Sequence, residues 1–138
     1  MRTYKAKIKI PNNLINKSTG DIGQQIFELW YKKNYEDELL FEQLKDRDYQ
    51  QIDYADWKGF TYQVKATKEK TYTFNCQIDK LDDHSNADFF VFIQLKNDFA
   101  FIENIYQKEY ILNNTIPSYK YDNCFIWAKD LQQEKLEL

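Results

Sequence analysis

The stretch Ile52-Asp53-Tyr54-Ala55-Asp56, followed after the turn residues Lys58-Gly59 by Tyr62-Gln63-Val64-Lys65-Ala66-Thr67, reads as a hairpin of two strands. Residues i and i+2 of a strand share a face, so Gln63 and Lys65 leave the sheet on the same side. An acid from the preceding strand, Asp53 or Asp56, can join them there. Hairpin register is not readable from one sequence, so both aspartates remain candidates.

Outward from this hairpin, Tyr4 to Ile10 alternate, with Tyr4, Ala6, Ile8 and Ile10 on one side and Lys5, Lys7 and Lys9 on the other. That pattern predicts a half-buried strand with a basic outer face, ended by Pro11-Asn12-Asn13. Three lysines on one face read either as a solvated edge that discourages edge pairing or as phosphate contacts. Ser18 and Asp21 stand at capping-box spacing and predict a helix start. Ile22, Ile26, Leu29 and Trp30 then recur at helical spacing as its core face, and Gln24, Glu28 and Lys32 form another stripe. Asn34 is the expected end of this helix. Beyond it comes an acidic run that includes Glu36, Asp37, Glu38, Glu42, Asp46 and Asp48.

A third strand is expected in Tyr72 to Ile78. Ala87-Asp88-Phe89-Phe90-Val91-Phe92-Ile93-Gln94-Leu95 is the strongest strand signal, a nearly continuous aromatic and β-branched run that predicts a central strand buried on both faces. Phe99 to Ile105 and Cys124 to Trp127 supply further strand or short helix, with a turn around Asn113 to Ser118.

The chain has 138 residues, 43% hydrophobic and 17% aromatic, with 3 Gly and 2 Pro. This composition suits a single domain over 1–138 with one packed core and little linker. A net charge of -3 argues against indiscriminate nucleic-acid binding but leaves room for a local basic strip. Cys76 and Cys124 lie far apart and His84 is the only histidine, which argues against structural zinc and for two reduced buried thiols. His84, Asp79, Asp82 and Asp83 fall in a polar loop without an ordered calcium-binding frame. The first residues carry no signal-peptide pattern, and no apolar run approaches the ~18 residues of a membrane span. A cytoplasmic protein is expected.

For chemistry, hydrolysis of a phosphodiester with Mg²⁺ or Mn²⁺ needs oxygen ligands on a rigid frame and a cation near the attacking water. Asp53 and Gln63 offer side-chain oxygens, the Val64 carbonyl a third, and Lys65 the cation. Glu28, on a helix beside the hairpin, can complete the shell directly or through water. Each part also has an ordinary reading. An aspartate before a turn serves turn geometry, Glu28 pairs with Lys32, and Gln-x-Lys is by itself a common strand sequence.

The order Gly20-Asp21-Ile22-Gly23, a helix carrying Glu28, Asp53, Gln63-Val64-Lys65-Ala66-Thr67 and the Ala87-Asp88-Phe89-Phe90-Val91-Phe92 strand resembles the restriction-endonuclease-like, PD-(D/E)xK superfamily over about residues 20–95. The resemblance implies an α/β (α+β) fold with a central mixed sheet flanked by helices, and a strand pair holding one or two Mg²⁺ ions. By the same resemblance Asp53 is the strand acid, Gln63 the second ligand and Lys65 the motif lysine. Gln63 replaces the usual Glu or Asp, as in some active members. The helix acid of the family commonly follows a glycine directly, where this chain has Gln24; Glu28 lies one turn later.

Two functions follow. One is a small Mg²⁺- or Mn²⁺-dependent DNA endonuclease, of phage or mobile-element type, acting as a homodimer because symmetry provides a second active site. Lys5, Lys7, Lys9, Lys68 and Lys70 are then the DNA-binding residues. The other is a non-catalytic interaction or inhibitor protein on a degenerate nuclease scaffold, for instance an inhibitor of a host defence complex. Its acidic run would occupy the basic surface of a protein partner.

Overall fold

The computed structural model describes residues 4–35, 42–43, 52–68, 75–78, 87–114, 117–118 and 124–127. Lys70, His84, Asp79, Asp82, Asp83 and most of the acidic run (Glu36, Asp37, Glu38, Asp46, Asp48) lie outside the described residues, as do the side chains of Glu42, Cys76 and Cys124.

Nine short strands and two α-helices follow one another along the described chain. These are β1 (Ala6–Lys9), α1 (Thr19–Asn34), β2 (Glu42–Gln43), β3 (Tyr54–Ala55), β4 (Thr61–Thr67), β5 (Asn75–Ile78), β6 (Phe89–Lys96), β7 (Phe99–Gln107), α2 (Lys108–Asn114), β8 (Pro117–Ser118) and β9 (Cys124–Trp127). Among the described residues, six strands form a mixed sheet in the order β1-β7-β6-β4-β3-β2. The β4–β6 pair is parallel and every other pair in this sheet is antiparallel. The expected mixed α+β architecture is therefore present. The strand expected within 72–78 is present as β5, yet it pairs with β9 in a second, three-stranded sheet.

The centre of the main sheet is β6, whose residues from Phe90 to Leu95 are buried without a break, as its apolar run predicted. β1 forms an edge. Ala6 and Ile8 pack against the core while Lys7 and Lys9 are exposed, so the alternation of the sequence is preserved within β1, whereas Tyr4, expected on the core side, is exposed and packs edge-on against Phe101. Ser18 caps α1, its hydroxyl accepting a hydrogen bond from Asp21 N at 3.2 Å, and the helix ends at Asn34.

The apolar face of α1 departs from the expected one. Ile22, Gly23, Ile26, Phe27 and Tyr31 are buried, while Leu29 is 47% exposed. The reason is the aromatic packing beneath the helix. The Phe27 ring meets Tyr54 at 5.8 Å, Tyr62 at 5.6 Å and Tyr31 at 5.7 Å, which fixes the rotation of α1 about the 23–27–31 line and turns Leu29 outward.

Gly23 lets this helix sit close to the sheet. A Cβ placed there would lie 2.6 Å from the Ala66 Cβ. The α1 side of the sheet is thus set by Tyr62, Val64 and Ala66 on β4 and by Val91, Ile93 and Leu95 on β6. Strand alternation puts Gln63 and Lys65 on the other face, the face that also carries Lys7 and Lys9 of β1.

Candidate functional site

The hairpin is present but short on its first side. Tyr54 pairs with Tyr62 and Ala55 with Thr61, after which β4 continues against β6 alone. One residue further from the turn, the Asp53 N–H still donates to Tyr62 O at 2.9 Å. Beyond this point the edge of β4 is served by a side chain: Val64 N donates to Asp53 Oδ2 at 2.8 Å. An aspartate in this position replaces a missing strand partner, which a buried backbone N–H would otherwise lack. In a strand the N–H and C=O of one residue point toward the same neighbour. The Val64 carbonyl therefore faces the same gap as the Asp53 carboxylate.

From the α1 side, Gln24 Nε2 donates to Asp53 Oδ1 at 3.2 Å. The Tyr54 hydroxyl shares its hydrogen between Gln24 O at 3.2 Å and Glu28 Oε2 at 3.4 Å. Glu28 Oε1 in turn accepts from Lys32 Nζ at 2.8 Å, the pairing that helical spacing suggested. Burial pushes the Tyr54 phenol well above its ordinary range, and the charges of Glu28 and Asp53 push it the same way. Tyr54 stays a neutral donor at any physiological pH.

Asp53 and Asp56 are distinguished by their partners. Asp56 Oδ1 accepts from Lys58 N at 2.9 Å and Phe60 N at 3.0 Å, and its Oδ2 accepts from the Tyr62 hydroxyl at 3.0 Å. That is turn chemistry. Asp53 faces the open edge of β4 and α1.

Gln63 is 4% exposed, so it is not the solvent-facing strand residue that its sequence context allows. Lys65 is half-buried and Lys68 exposed at the end of β4. Lys7 and Lys9 on β1 and Lys5 just before it are exposed, three strand spacings or about 14 Å across the sheet from β4. The Lys7 ammonium lies 4.3 Å from the centre of the Phe99 ring, a cation–π contact that holds part of this strip against the sheet.

The site thus gathers Gln24, Glu28, Asp53, Tyr54 and the Val64 backbone at the rim where β3 parts from β4. Gln63 and Lys65 approach the same strand from its other face. Sequence reasoning missed Gln24 and Tyr54 as members. Gln24 was marked by its place one turn before Glu28 on the same stripe; Tyr54 had no comparable signal. Among the described residues, no three histidine, cysteine or acidic side chains converge on one point. A divalent ion at this rim has to use one carboxylate with neutral oxygens. That donor set fits Mg²⁺, which keeps several waters and is commonly bound through one or two carboxylates plus substrate phosphate.

Among the described residues no helix is long and apolar enough to cross a membrane. No protein-family model, no curated protein and no solved structure matches the chain.

Proposed function

We propose that the chain is a metal-dependent DNA endonuclease on a restriction-endonuclease-like fold, working in the cytoplasm and of phage or mobile-element type. The observation that carries this reading is the placement of Asp53. Its carboxylate sits on the backbone of Val64, the residue between Gln63 and Lys65, and in contact with the helix residue that directly follows Gly23. Strand acid, x-Lys strand and helix position thus meet at one rim, although they are far apart in sequence.

In this reading Asp53, Gln63 and the Val64 carbonyl would hold Mg²⁺ or Mn²⁺, which would supply an acidified water and offset phosphate charge. Lys65 would orient the attacking water and stabilise charge developing on the phosphate. Gln24 and the Val64 N–H fix the plane of the Asp53 carboxylate. Glu28 acts as a positioning residue, holding Tyr54 and through it the first turns of α1. Lys7 and Lys9 share the Lys65 face of the sheet, and with Lys5 and Lys68 they offer phosphate contacts. Two copies of the chain would supply the two sites that a double-strand cut needs.

A second reading rests on the same contacts. Both oxygens of Asp53 accept hydrogen bonds from the protein, and glutamines stand at two positions where the superfamily has acids. Such a rim can serve structure alone, in a non-catalytic protein that binds a partner with a basic surface.

Incubation of the pure protein with supercoiled, linear, single-stranded and branched DNA in Mg²⁺ or Mn²⁺ separates the two. The nuclease reading expects cleavage that Lys65→Ala reduces on the order of 10²- to 10⁴-fold without loss of fold. No cleavage of any substrate in either metal supports the interaction protein, and undiminished cleavage by the variant removes Lys65 from the mechanism.

A further inference from the structure

The β3–β4 hairpin ends in two large rings that the core does not need. Trp57 is 57% exposed and Phe60 is 46% exposed, with Lys58 between them in the sequence. An exposed aromatic on a loose loop would mean little, but this loop is tied. Asp56 O accepts from Gly59 N at 3.0 Å and Asp56 N donates to Phe60 O at 2.9 Å. The Asp56 side chain takes Lys58 N, Phe60 N and the Tyr62 hydroxyl, and Gly59 adopts φ +91° to close the turn. Asp88 accepts from Thr61 N at 2.9 Å and from the Thr61 hydroxyl at 3.2 Å, so both acids near the tip are turned onto the hairpin itself.

The Phe60 ring is also set in place. Phe60 packs edge-on against Phe89 at 5.7 Å, Phe89 stacks on Tyr62 at 5.2 Å, and Tyr62 meets Phe27 in the core at 5.6 Å. A row of aromatic rings runs from the interior and ends in solvent at Phe60. Lys58 Nζ stands 5.5 Å from the centre of the Trp57 ring. Two exposed rings with an ammonium beside one of them match one repeating unit of single-stranded nucleic acid, a base to stack and a phosphate to neutralise.

We infer that Trp57, Phe60 and Lys58 form a stacking platform for unpaired bases of a single-stranded nucleic acid. The inference deepens the nuclease reading and rests on it, because it names the form of substrate delivered to the rim. Phe60 is four residues from Val64 along β4, about 13 Å at strand spacing. That length corresponds to about four nucleotides at duplex rise, so a strand stacked on the tip can reach the rim at Asp53.

The test is anisotropy of labelled oligothymidylate, with duplex DNA of the same length in parallel, in EDTA so that no cleavage intervenes. Trp57→Ala should weaken single-strand binding about 5- to 150-fold and leave duplex binding unchanged, and Trp57→Phe should restore most of it. Lys58→Gln should flatten the salt dependence by about 0.7 in slope. Replacing the bases by abasic sites should weaken wild type more than Trp57→Ala, in which Phe60 alone is left to stack.

Equal single-strand affinity in wild type and Trp57→Ala overturns the inference and spares the nuclease reading. Duplex-only binding by wild type has the same consequence, as does a Trp57→Ala variant that dissociates a dimer without changing affinity per protomer. Failure of wild type to bind either oligonucleotide in EDTA overturns the inference, and the cleavage assay in Mg²⁺ or Mn²⁺ then decides the nuclease reading.

Discussion

Asp53 and Asp56 are three residues apart on one hairpin and are held by different partners. Asp56 is consumed by the turn, three donors within six residues of it, while Asp53 takes Val64 N and the Gln24 amide across 11 and 29 residues. Asp56→Asn should therefore cost stability, about 1–3 kcal/mol in a urea titration, and leave Mn²⁺ affinity alone. Asp53→Asn faces an amide N–H toward another donor, so it should lower stability by a similar amount and also remove metal affinity. Loss of metal affinity in the Asp56 variant alone would reverse the assignment. Tyr54 gives a residue-scale test by pH. Its folded-state pKa is raised by burial and by Glu28 and Asp53, so the unfolded chain releases the proton first as pH rises. The stability it contributes is complete below about pH 10 and falls as pH rises past that value. Tyr62 and Tyr106 are raised by burial too and act in the same direction. Tyr54→Phe should make the alkaline decline in melting temperature shallower without abolishing it; an identical slope in the variant would contradict the buried-phenol description.

Among the elements, the contact of α1 with β4 decides whether the rim exists. It depends on Gly23, which faces Ala66 with no room for a methyl group. Gly23→Ala gains about 0.5–1 kcal/mol of helix propensity but forces α1 away from the sheet, so a net loss of about 1–2 kcal/mol is expected in chemical denaturation. Adding Ala66→Gly should return most of that loss, since the second change removes the Cβ that the first one strikes. No recovery in the double variant would mean that the close approach is not what Gly23 provides. This contact also marks what the sequence could reveal. The cap at Ser18, the end at Asn34 and the Glu28–Lys32 pair are local, and local spacing predicts them. Which side of α1 meets the sheet is set by Phe27 against Tyr54 and Tyr62, rings 27 and 35 residues away, and spacing alone placed Leu29 wrongly inside. The alliance of β5 with β9 is equally non-local, since a strand signal carries no record of its partner.

At the scale of the whole molecule, the mixed sheet and its buried central strand follow from the run at Phe89–Lys96, whose lack of alternation leaves only a two-sided position. The candidate site was legible in part. Asp53, Gln63, Val64 and Lys65 were marked by order and spacing, whereas Gln24 and Tyr54 became members only when the helix was docked. The proposed chemistry depends above all on whether this rim binds a divalent ion. Calorimetric titration of Mn²⁺ into wild type, Asp53→Asn and Gln63→Glu asks this directly. Gln63 is buried beside the proposed site, so a carboxylate there should lower stability in EDTA and tighten Mn²⁺ binding when the ion is supplied. Saturable binding in wild type, its loss in Asp53→Asn and higher affinity in Gln63→Glu are the expected results; equal affinity in all three proteins would contradict a metal site at this rim.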